Sequence, residues 1–111
     1  MSKDIDIVIY GATGFTGQLC VKYFQSLDLD IKWAIAGRNL RKLENVASKF
    51  STNIEILVAD SDDEKALKDI CSRSKVVLST AGPFHRYGSK LVATCIENDT
   101  HYVDITGENF W

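Results

Sequence analysis

Residues 5–17 have the sequence IDIVIYGATGFTG, in which an apolar run of strand length leads into three glycines at G-x-x-G-x-x-G spacing. A helical pattern begins within these glycines. A strand that ends in glycines lets the backbone turn sharply and approach a ligand closely. The unpaired N–H groups and positive dipole end of the next helix attract phosphate. This order of elements favours a turn that binds the pyrophosphate of a nucleotide.

The rest of the chain alternates apolar runs of strand length with helical stripes. The predicted strands are residues 5–10, 32–36, 54–59, 76–80 and 102–105. Between them, apolar residues recur at spacings of three and four over residues 17–27, 40–50, 67–71 and 91–96. We therefore expect four amphipathic helices, the third of them capped by Ser61 or Asp62.

This alternation predicts a doubly wound α/β fold of the Rossmann type. Near-continuous apolar strands favour a parallel sheet of about five strands with helices on both faces. In the strand order 3-2-1-4-5, the ligand crevice opens at the carboxyl ends of strands one and four, where the winding reverses. A chain of 111 residues suits one domain, so residues 1–111 are interpreted as a single nucleotide-binding domain.

Composition excludes several classes of function. The chain is 45% hydrophobic and 25% charged with a net charge of -2, which argues against nucleic acid as the main partner. No apolar run approaches the roughly 20 residues that span a bilayer. The first residues lack the apolar core of a signal peptide, so a cytoplasmic location is expected. The widely spaced Cys20, Cys71 and Cys95 are interpreted as reduced core thiols, and no metal site is predicted.

The glycine loop supplies the first group of candidate residues. Gly11 would make the turn, Gly14 would admit the pyrophosphate, and Gly17 would let the helix pack closely on the sheet. The hydroxyls of Thr13 and Thr16 would add hydrogen-bond donors. No Lys-Ser/Thr pair follows the last glycine, which disfavours an ATPase-type loop; the remaining alternative is a glycine-rich turn without a ligand. The cofactor-binding residues predicted here are Gly11, Thr13, Gly14, Phe15, Thr16 and Gly17.

The end of the second strand indicates which dinucleotide is bound. A free ribose 2′-hydroxyl is usually met by Asp or Glu at this position, but the chain has Arg38-Asn39 instead. The Arg38 guanidinium suits a 2′-phosphate, and Lys42 adds a second charge one helical turn later. NADP(H) is therefore preferred over NAD(H), with Arg38, Asn39 and Lys42 as cofactor-binding residues. Alternatively, Arg38 and Lys42 are solvated surface charges.

Two later strand ends complete the predicted site. Asp60 follows the third strand, where it would accept a hydrogen bond from the adenine amino group or else cap the next helix. After the fourth strand, small residues admit the cofactor, a proline stiffens the turn and an aromatic ring stacks or closes the cleft. His85 and Tyr87 are candidate proton donors, although an exposed loop histidine is the favoured interpretation of His85, and catalytic residues stay unassigned. The cofactor-binding residues predicted here are Ala81, Gly82, Pro83, Phe84 and Tyr87.

With these residues in place, the chain resembles the N-terminal part of the saccharopine dehydrogenase-like oxidoreductases, which include the trans-acting enoyl reductases. The resemblance covers nearly the whole chain. The segments that carry it are residues 10–17, 36–39 with 42–43, 81–84 with 87–88, and 101–104 with 106–108. It implies an NAD(P)-binding Rossmann domain that longer members follow with a substrate and dimerisation domain, absent here. The leading hypothesis is thus the NADP(H)-binding domain of an oxidoreductase, inert alone.

Other functions remain open at this stage. A nucleotide-responsive binding or scaffold module is the non-enzymatic alternative. A short-chain dehydrogenase needs a Tyr-x-x-x-Lys pair, and Tyr87 and Lys90 are one residue too close. A methyltransferase is disfavoured because Arg38 stands where an acidic residue would hold the ribose. A lone domain would expose an apolar surface and a sheet edge, so we expect a homo-oligomer or association with a C-terminal domain. Absent segments leave membrane or lipid-droplet association open.

Overall fold

The computed structural model describes residues 3–28, 30–50, 54–81 and 88–105. Within them the elements are β1 (Ile5–Tyr10), α1 (Phe15–Leu27), β2 (Trp33–Gly37), α2 (Leu40–Phe50), β3 (Glu55–Val58), α3 (Glu64–Arg73), β4 (Ser74–Ser79), α4 (Ser89–Glu97) and β5 (His101–Asp104). The five strands form one sheet in the order β3-β2-β1-β4-β5. Every neighbouring pair is parallel. The predicted doubly wound fold and its strand order are confirmed.

The two faces of the sheet carry separate cores. Val8 and Ile9, adjacent on the central strand, are both fully buried but contribute to different cores because successive side chains of a strand point to opposite faces. One core is shared with α1 and α2 and includes Ile9, Val21, Ile35 and Leu43. The other is shared with α3 and α4 and includes Val8, Ala34, Ile70, Val77 and Leu91. Burial on both faces explains why the strands are almost continuously apolar.

The junction between α3 and β4 differs from the prediction. The cap of α3 is Asp63, whose carboxylate accepts a hydrogen bond from the Ala66 N–H at 3.1 Å, so the choice of Ser61 or Asp62 was wrong. At its other end the helix passes directly into β4, which begins at Ser74 and not at residue 76. The Ser74 hydroxyl donates to Ile70 O at 2.6 Å and closes the helix. The polar residues around this junction concealed the start of the strand.

Some residues of the predicted apolar stripes lie outside the cores. Leu27, Leu40 and Ile96 are exposed, although their spacing matches that of buried neighbours. Cys71 and Cys95 are buried free thiols, as expected, with their sulfur atoms 3.5 Å apart, whereas Cys20 is only half-buried. The hydrogen bond with Cys95, together with burial, raises the pKa of the Cys71 thiol. In the described part of the chain, no helix is both long and apolar enough to cross a membrane.

Candidate functional site

A cleft of about 260 Å³ opens at the carboxyl ends of the strands, where the winding of the sheet reverses between β1 and β4. It is lined by Tyr10, Gly11, Thr13, Gly14, Gly37, Arg38, Ser61, Thr80 and Ala81. These residues come from the ends of four different strands and from the loop after β1. Five of the lining residues were predicted, namely Gly11, Thr13, Gly14, Arg38 and Ala81.

Gly11 makes the turn that leaves β1. Its φ of 85° lies in the left-handed region, which residues other than glycine rarely adopt. The N–H groups of Gly11 and Ala12 both donate to Ala36 O in β2, at 2.9 and 3.2 Å. A Cβ on Gly11 would lie 2.9 Å from Ala81 N, so the loop also packs directly against the end of β4. Backbone conformation and close contact both require glycine here.

The other two glycines have different surroundings. A Cβ on Gly17 would strike Gly11 O and lie 2.7 Å from Ala12 Cα, because the first turn of α1 rests directly on the loop. A Cβ on Gly14, by contrast, would meet only Gly11 O at 3.6 Å. Gly14 is the N-cap of α1 and provides no side chain to satisfy the N–H groups of the first helical turn. Gly17 therefore packs closely against the loop, whereas the space around Gly14 is open.

Arg38 follows the end of β2 and is exposed at the cleft. Among the described residues, no carboxylate forms an ion pair with its guanidinium. The neighbouring Asn39 has a structural task, since its side chain accepts the Lys42 N–H at 3.0 Å and caps α2. Neither Asn39 nor Lys42 lines the cleft. Arg38 is thus the cation that the structure places at this wall.

The remaining predicted residues fall into two groups. Phe15 is 81% exposed and, like Thr16 and Gly17, does not line the cleft. Asp60 does not line it either. Its carboxylate accepts the Asp62 N–H at 3.0 Å within the turn before α3. Residues predicted in the loop after β4 lie outside the described part of the chain: Gly82, Pro83, Phe84, His85 and Tyr87.

The sequence analysis missed three hydroxyl-bearing residues of the cleft. The Tyr10 hydroxyl lies 3.0 Å from Ser61 Oγ and donates to Ala59 O at 3.3 Å. Burial raises the pKa of Tyr10. The Thr80 hydroxyl lies within hydrogen-bond distance of Tyr10 O and Gly11 O, at 3.2 and 3.1 Å, and so holds the glycine loop to β4. The signal that could have identified Tyr10 and Thr80 was their position, since each is a polar residue that ends or follows an apolar strand.

Comparison with known proteins identifies relatives of this arrangement. Residues 7–109 match the family model described as the saccharopine dehydrogenase NADP binding domain. The chain is 39% identical to the trans-acting enoyl reductase of Mycobacterium leprae (strain TN) over 96% of its own length and 26% of that protein. It is 36% identical to the lipid droplet localized protein of Caenorhabditis elegans, again over 96% of its length and 27% of that protein. The chain thus spans about a quarter of the length of the curated relatives it matches.

Solved structures support the same fold at lower identity. Apo saccharopine dehydrogenase (L-Glu forming) from Saccharomyces cerevisiae superposes with a TM-score of 0.77 at 22% identity, over 93% of this chain and 22% of that one. A short-chain dehydrogenase/reductase from Veillonella parvula in complex with NADP gives a TM-score of 0.73 at 14% identity, over 92% and 47% of the two chains. At these identities the likeness shows the Rossmann fold alone.

Proposed function

The chain belongs to the family of saccharopine dehydrogenase NADP-binding domains, and we propose that its cleft holds the adenosine, 2′-phosphate and pyrophosphate parts of NADP(H). The family's domain binds NADP, in agreement with the cofactor predicted from Arg38. The observation that carries the proposal is the position of Arg38, a cation without an ion-pair partner among the described residues, beside a three-glycine loop at the reversal of the sheet.

The loop after β1 fits a pyrophosphate. Gly14 leaves open space above the loop, and the first-turn N–H groups of α1 have no intrahelical carbonyl partners. No acidic residue lies in the first turn to repel an anion. We assign the phosphate contacts to the backbone of residues 13–17, with the hydroxyls of Thr13 and Thr16 as further donors. Phe15 and Gly17 then belong to the first turn of α1 without forming the cleft wall.

Arg38 would recognise the 2′-phosphate. A guanidinium binds phosphate oxygens through two parallel N–H bonds in a planar geometry that suits a phosphate group. Lys42 is exposed on the first turn of α2 and would add charge at longer range, while Asn39 holds that turn in place. No acidic residue follows β2 to accept a free 2′-hydroxyl. NADP(H) is accordingly favoured over NAD(H).

The described cleft is smaller than a complete dinucleotide site, for which volumes of about 300–1,000 Å³ are usual. We propose that the loop after β4 completes it at the nicotinamide end. Ala81 already lines the cleft, and Gly82, Pro83, Phe84 and Tyr87 follow it in the chain.

For the whole protein we propose an NADP-dependent oxidoreductase, in line with relatives named trans-acting enoyl reductases. The bound nicotinamide would supply or accept the hydride. This domain would orient the cofactor and be inert alone, and the rest of a longer chain would provide the substrate site. On β5 and just after it, Val103 and Ile105 are 49% and 53% exposed, a surface suited to that second part or to another subunit. A cytoplasmic location remains our proposal, to be checked against lipid droplets because of the nematode relative's name.

The test is a calorimetric titration of the purified chain with NADPH and NADH, repeated on Arg38→Ala. We expect NADPH affinity to fall about 10- to 100-fold while NADH affinity changes little. Arg41→Ala is the matched control, because Arg41 is an exposed arginine on α2 that does not line the cleft. Equal losses for the two nucleotides would contradict the role of Arg38. Absence of binding by a folded wild-type chain would contradict the assignment of the cleft.

A further inference from the structure

The cleft wall at the end of β3 is formed by a pair of hydroxyl groups. Tyr10 is 3% exposed and its ring belongs to the core shared with α3 and α4, so its position is set by packing. Ser61 is half-buried and also lines the cleft, with its Oγ 3.0 Å from the Tyr10 hydroxyl. Ser61 is therefore the member of the pair that a ligand can reach, and Tyr10 is its fixed support.

The pair can present either a donor or an acceptor to a ligand. The single phenolic proton has two acceptors within reach, Ala59 O at 3.3 Å and Ser61 Oγ at 3.0 Å. When Tyr10 donates to Ala59 O, Ser61 donates to Tyr10 and offers a lone pair to the cleft. When Tyr10 donates to Ser61, the serine proton points to the cleft instead. Since burial raises the pKa of Tyr10, the phenol remains protonated near neutral pH.

Asp60 is less suited than Ser61 to contact a ligand group that has both a hydrogen-bond donor and an acceptor. One of its carboxylate oxygens accepts the Asp62 N–H at 3.0 Å, and its backbone carbonyl accepts the Asp63 N–H at 3.0 Å. Its side chain thus shapes the turn that carries Ser61 into the cleft, and Asp60 itself does not line that cleft. An ionised carboxylate can only accept hydrogen bonds, whereas the edge of an adenine ring offers a donor and an acceptor side by side.

We propose that Ser61 Oγ hydrogen-bonds the purine base of the dinucleotide and that Tyr10 is the positioning residue that orients the serine hydroxyl. This inference rests on the NADP(H) site proposed above and extends it to the recognition of the base. Ser61 would read the base, which is common to NADPH and NADH, whereas Arg38 would read the 2′-phosphate that distinguishes them.

The experiment is a set of calorimetric titrations on wild type, Ser61→Ala, Tyr10→Phe and the double variant. Ser61→Ala is expected to weaken NADPH and NADH equally, by about 3- to 10-fold, because the base contact is common to both. Tyr10→Phe is expected to weaken the binding of both nucleotides by about 2- to 4-fold. The double variant should bind no more weakly than Ser61→Ala, since Tyr10 acts through Ser61.

A base analogue separates recognition from a merely structural role. Each variant is also titrated with the 6-deamino analogue of NADPH, in which a hydrogen replaces the adenine amino group, so the pair of Ser61 and Tyr10 cannot keep the contact by reversing its donor. Loss of a base contact should reduce the wild-type preference for adenine by about threefold or more in Ser61→Ala. A purely structural effect would leave that preference unchanged and would overturn the proposal.

Asp60→Asn is the matched control, because the amide oxygen can still accept the Asp62 N–H. We expect it to change NADPH affinity less than twofold, and a larger loss than in Ser61→Ala would overturn the proposal. If Ser61→Ala binds like wild type while Arg38→Ala still loses NADPH selectively, the base contact is wrong and the NADP(H) site stands. If the folded wild-type chain binds neither nucleotide, both proposals fail.

Discussion

The two ends of the same sheet differ in the pairing of their charged side chains, although Lys90 and Asp62 also form an exposed ion pair at 3.6 Å at the carboxyl ends. At the amino ends of the strands, charged side chains neutralise one another: Arg73 contacts Asp4 at 2.9 Å and Glu55 at 2.7 Å, and Lys32 lies within 3.5 Å of the same two carboxylates. At the carboxyl ends, Arg38 has no carboxylate partner among the described residues, and glycines replace side chains. An end whose charges are already paired contributes to stability, whereas an end with an unpaired cation is available to a ligand.

Lys3 shows how complete the pairing is at the amino end. Its ammonium group donates to Cys71 O, Ser74 O and Thr100 Oγ1, at 3.0, 2.9 and 2.7 Å. All three of its donors are therefore used within the protein. The contrast between a structural end and a binding end can be tested by substitutions that should affect stability at one end and nucleotide affinity at the other.

The largest expected effect is that of Gly17→Ala, which should abolish NADPH binding by destabilising the folded domain. The new Cβ would clash with backbone atoms of Gly11 and Ala12, which cannot move aside as the end of a flexible side chain could. We expect a loss of about 3 kcal/mol or more in the free energy of unfolding, measured by urea denaturation, and no NADPH binding.

Gly14→Ala is its matched control, because the nearest atom to its Cβ would be Gly11 O at 3.6 Å. Its stability should change by less than about 1 kcal/mol, while NADPH affinity falls about tenfold or more from obstruction of the phosphate. Similar unfolding free energies for the two alanine variants would refute the packing argument.

Lys3→Met should destabilise the structural end without altering the binding end. Removal of a charged donor that makes three hydrogen bonds is expected to cost about 1.5–3 kcal/mol in unfolding free energy. Calorimetry under conditions where the variant is folded should give an unchanged NADPH affinity. A large change in that affinity would show that the two ends are coupled.

Thr80→Val tests whether the hydroxyl that holds the glycine loop matters for binding. Loss of its hydrogen bonds to Tyr10 O and Gly11 O should lower the free energy of unfolding by about 1 kcal/mol. It should also weaken NADPH binding about fivefold, because the loop is held less firmly. Thr80→Ser keeps the hydroxyl and should restore the affinity. Equal NADPH affinities for the valine and serine variants would show that the Thr80 hydroxyl does not contribute to binding.

The smallest effect concerns the pH dependence of the structural end. The hydrogen bond from Arg73 is the main cause that lowers the pKa of Asp4 from 3.8 to about 2. A carboxylate with a lowered pKa stabilises the folded state above about pH 3.8, and that contribution disappears as the pH falls to about 2.

Thermal unfolding of wild type and Asp4→Asn should therefore differ by no more than a few degrees at pH 5–7, because the pair is exposed. The two melting temperatures should converge near pH 2. A difference that persists in acid would have to arise from something other than the Asp4 charge.

Much of the fold could be predicted because its signals are local. Residues 5–17 contain an apolar run, a turn and a helix start in one uninterrupted stretch, and periodicity located the other elements to within a few residues. Spacing could not reveal that α3 continues directly into β4, because Ser74 ends the helix and begins the strand. It also could not separate Ile96, which is exposed, from Cys95, which is buried.

The sequence by itself determined the alternation of strands and helices, the glycine turn and the cation after the second strand, since each depends on residues close together in the chain. Only the tertiary structure decided which hydroxyls share the cleft. Tyr10 and Ser61 are 51 positions apart, and Thr80 lies 70 positions after Tyr10. Such pairs meet because parallel strands bring their carboxyl ends to one edge of the sheet, and no local pattern records which side chains then face each other.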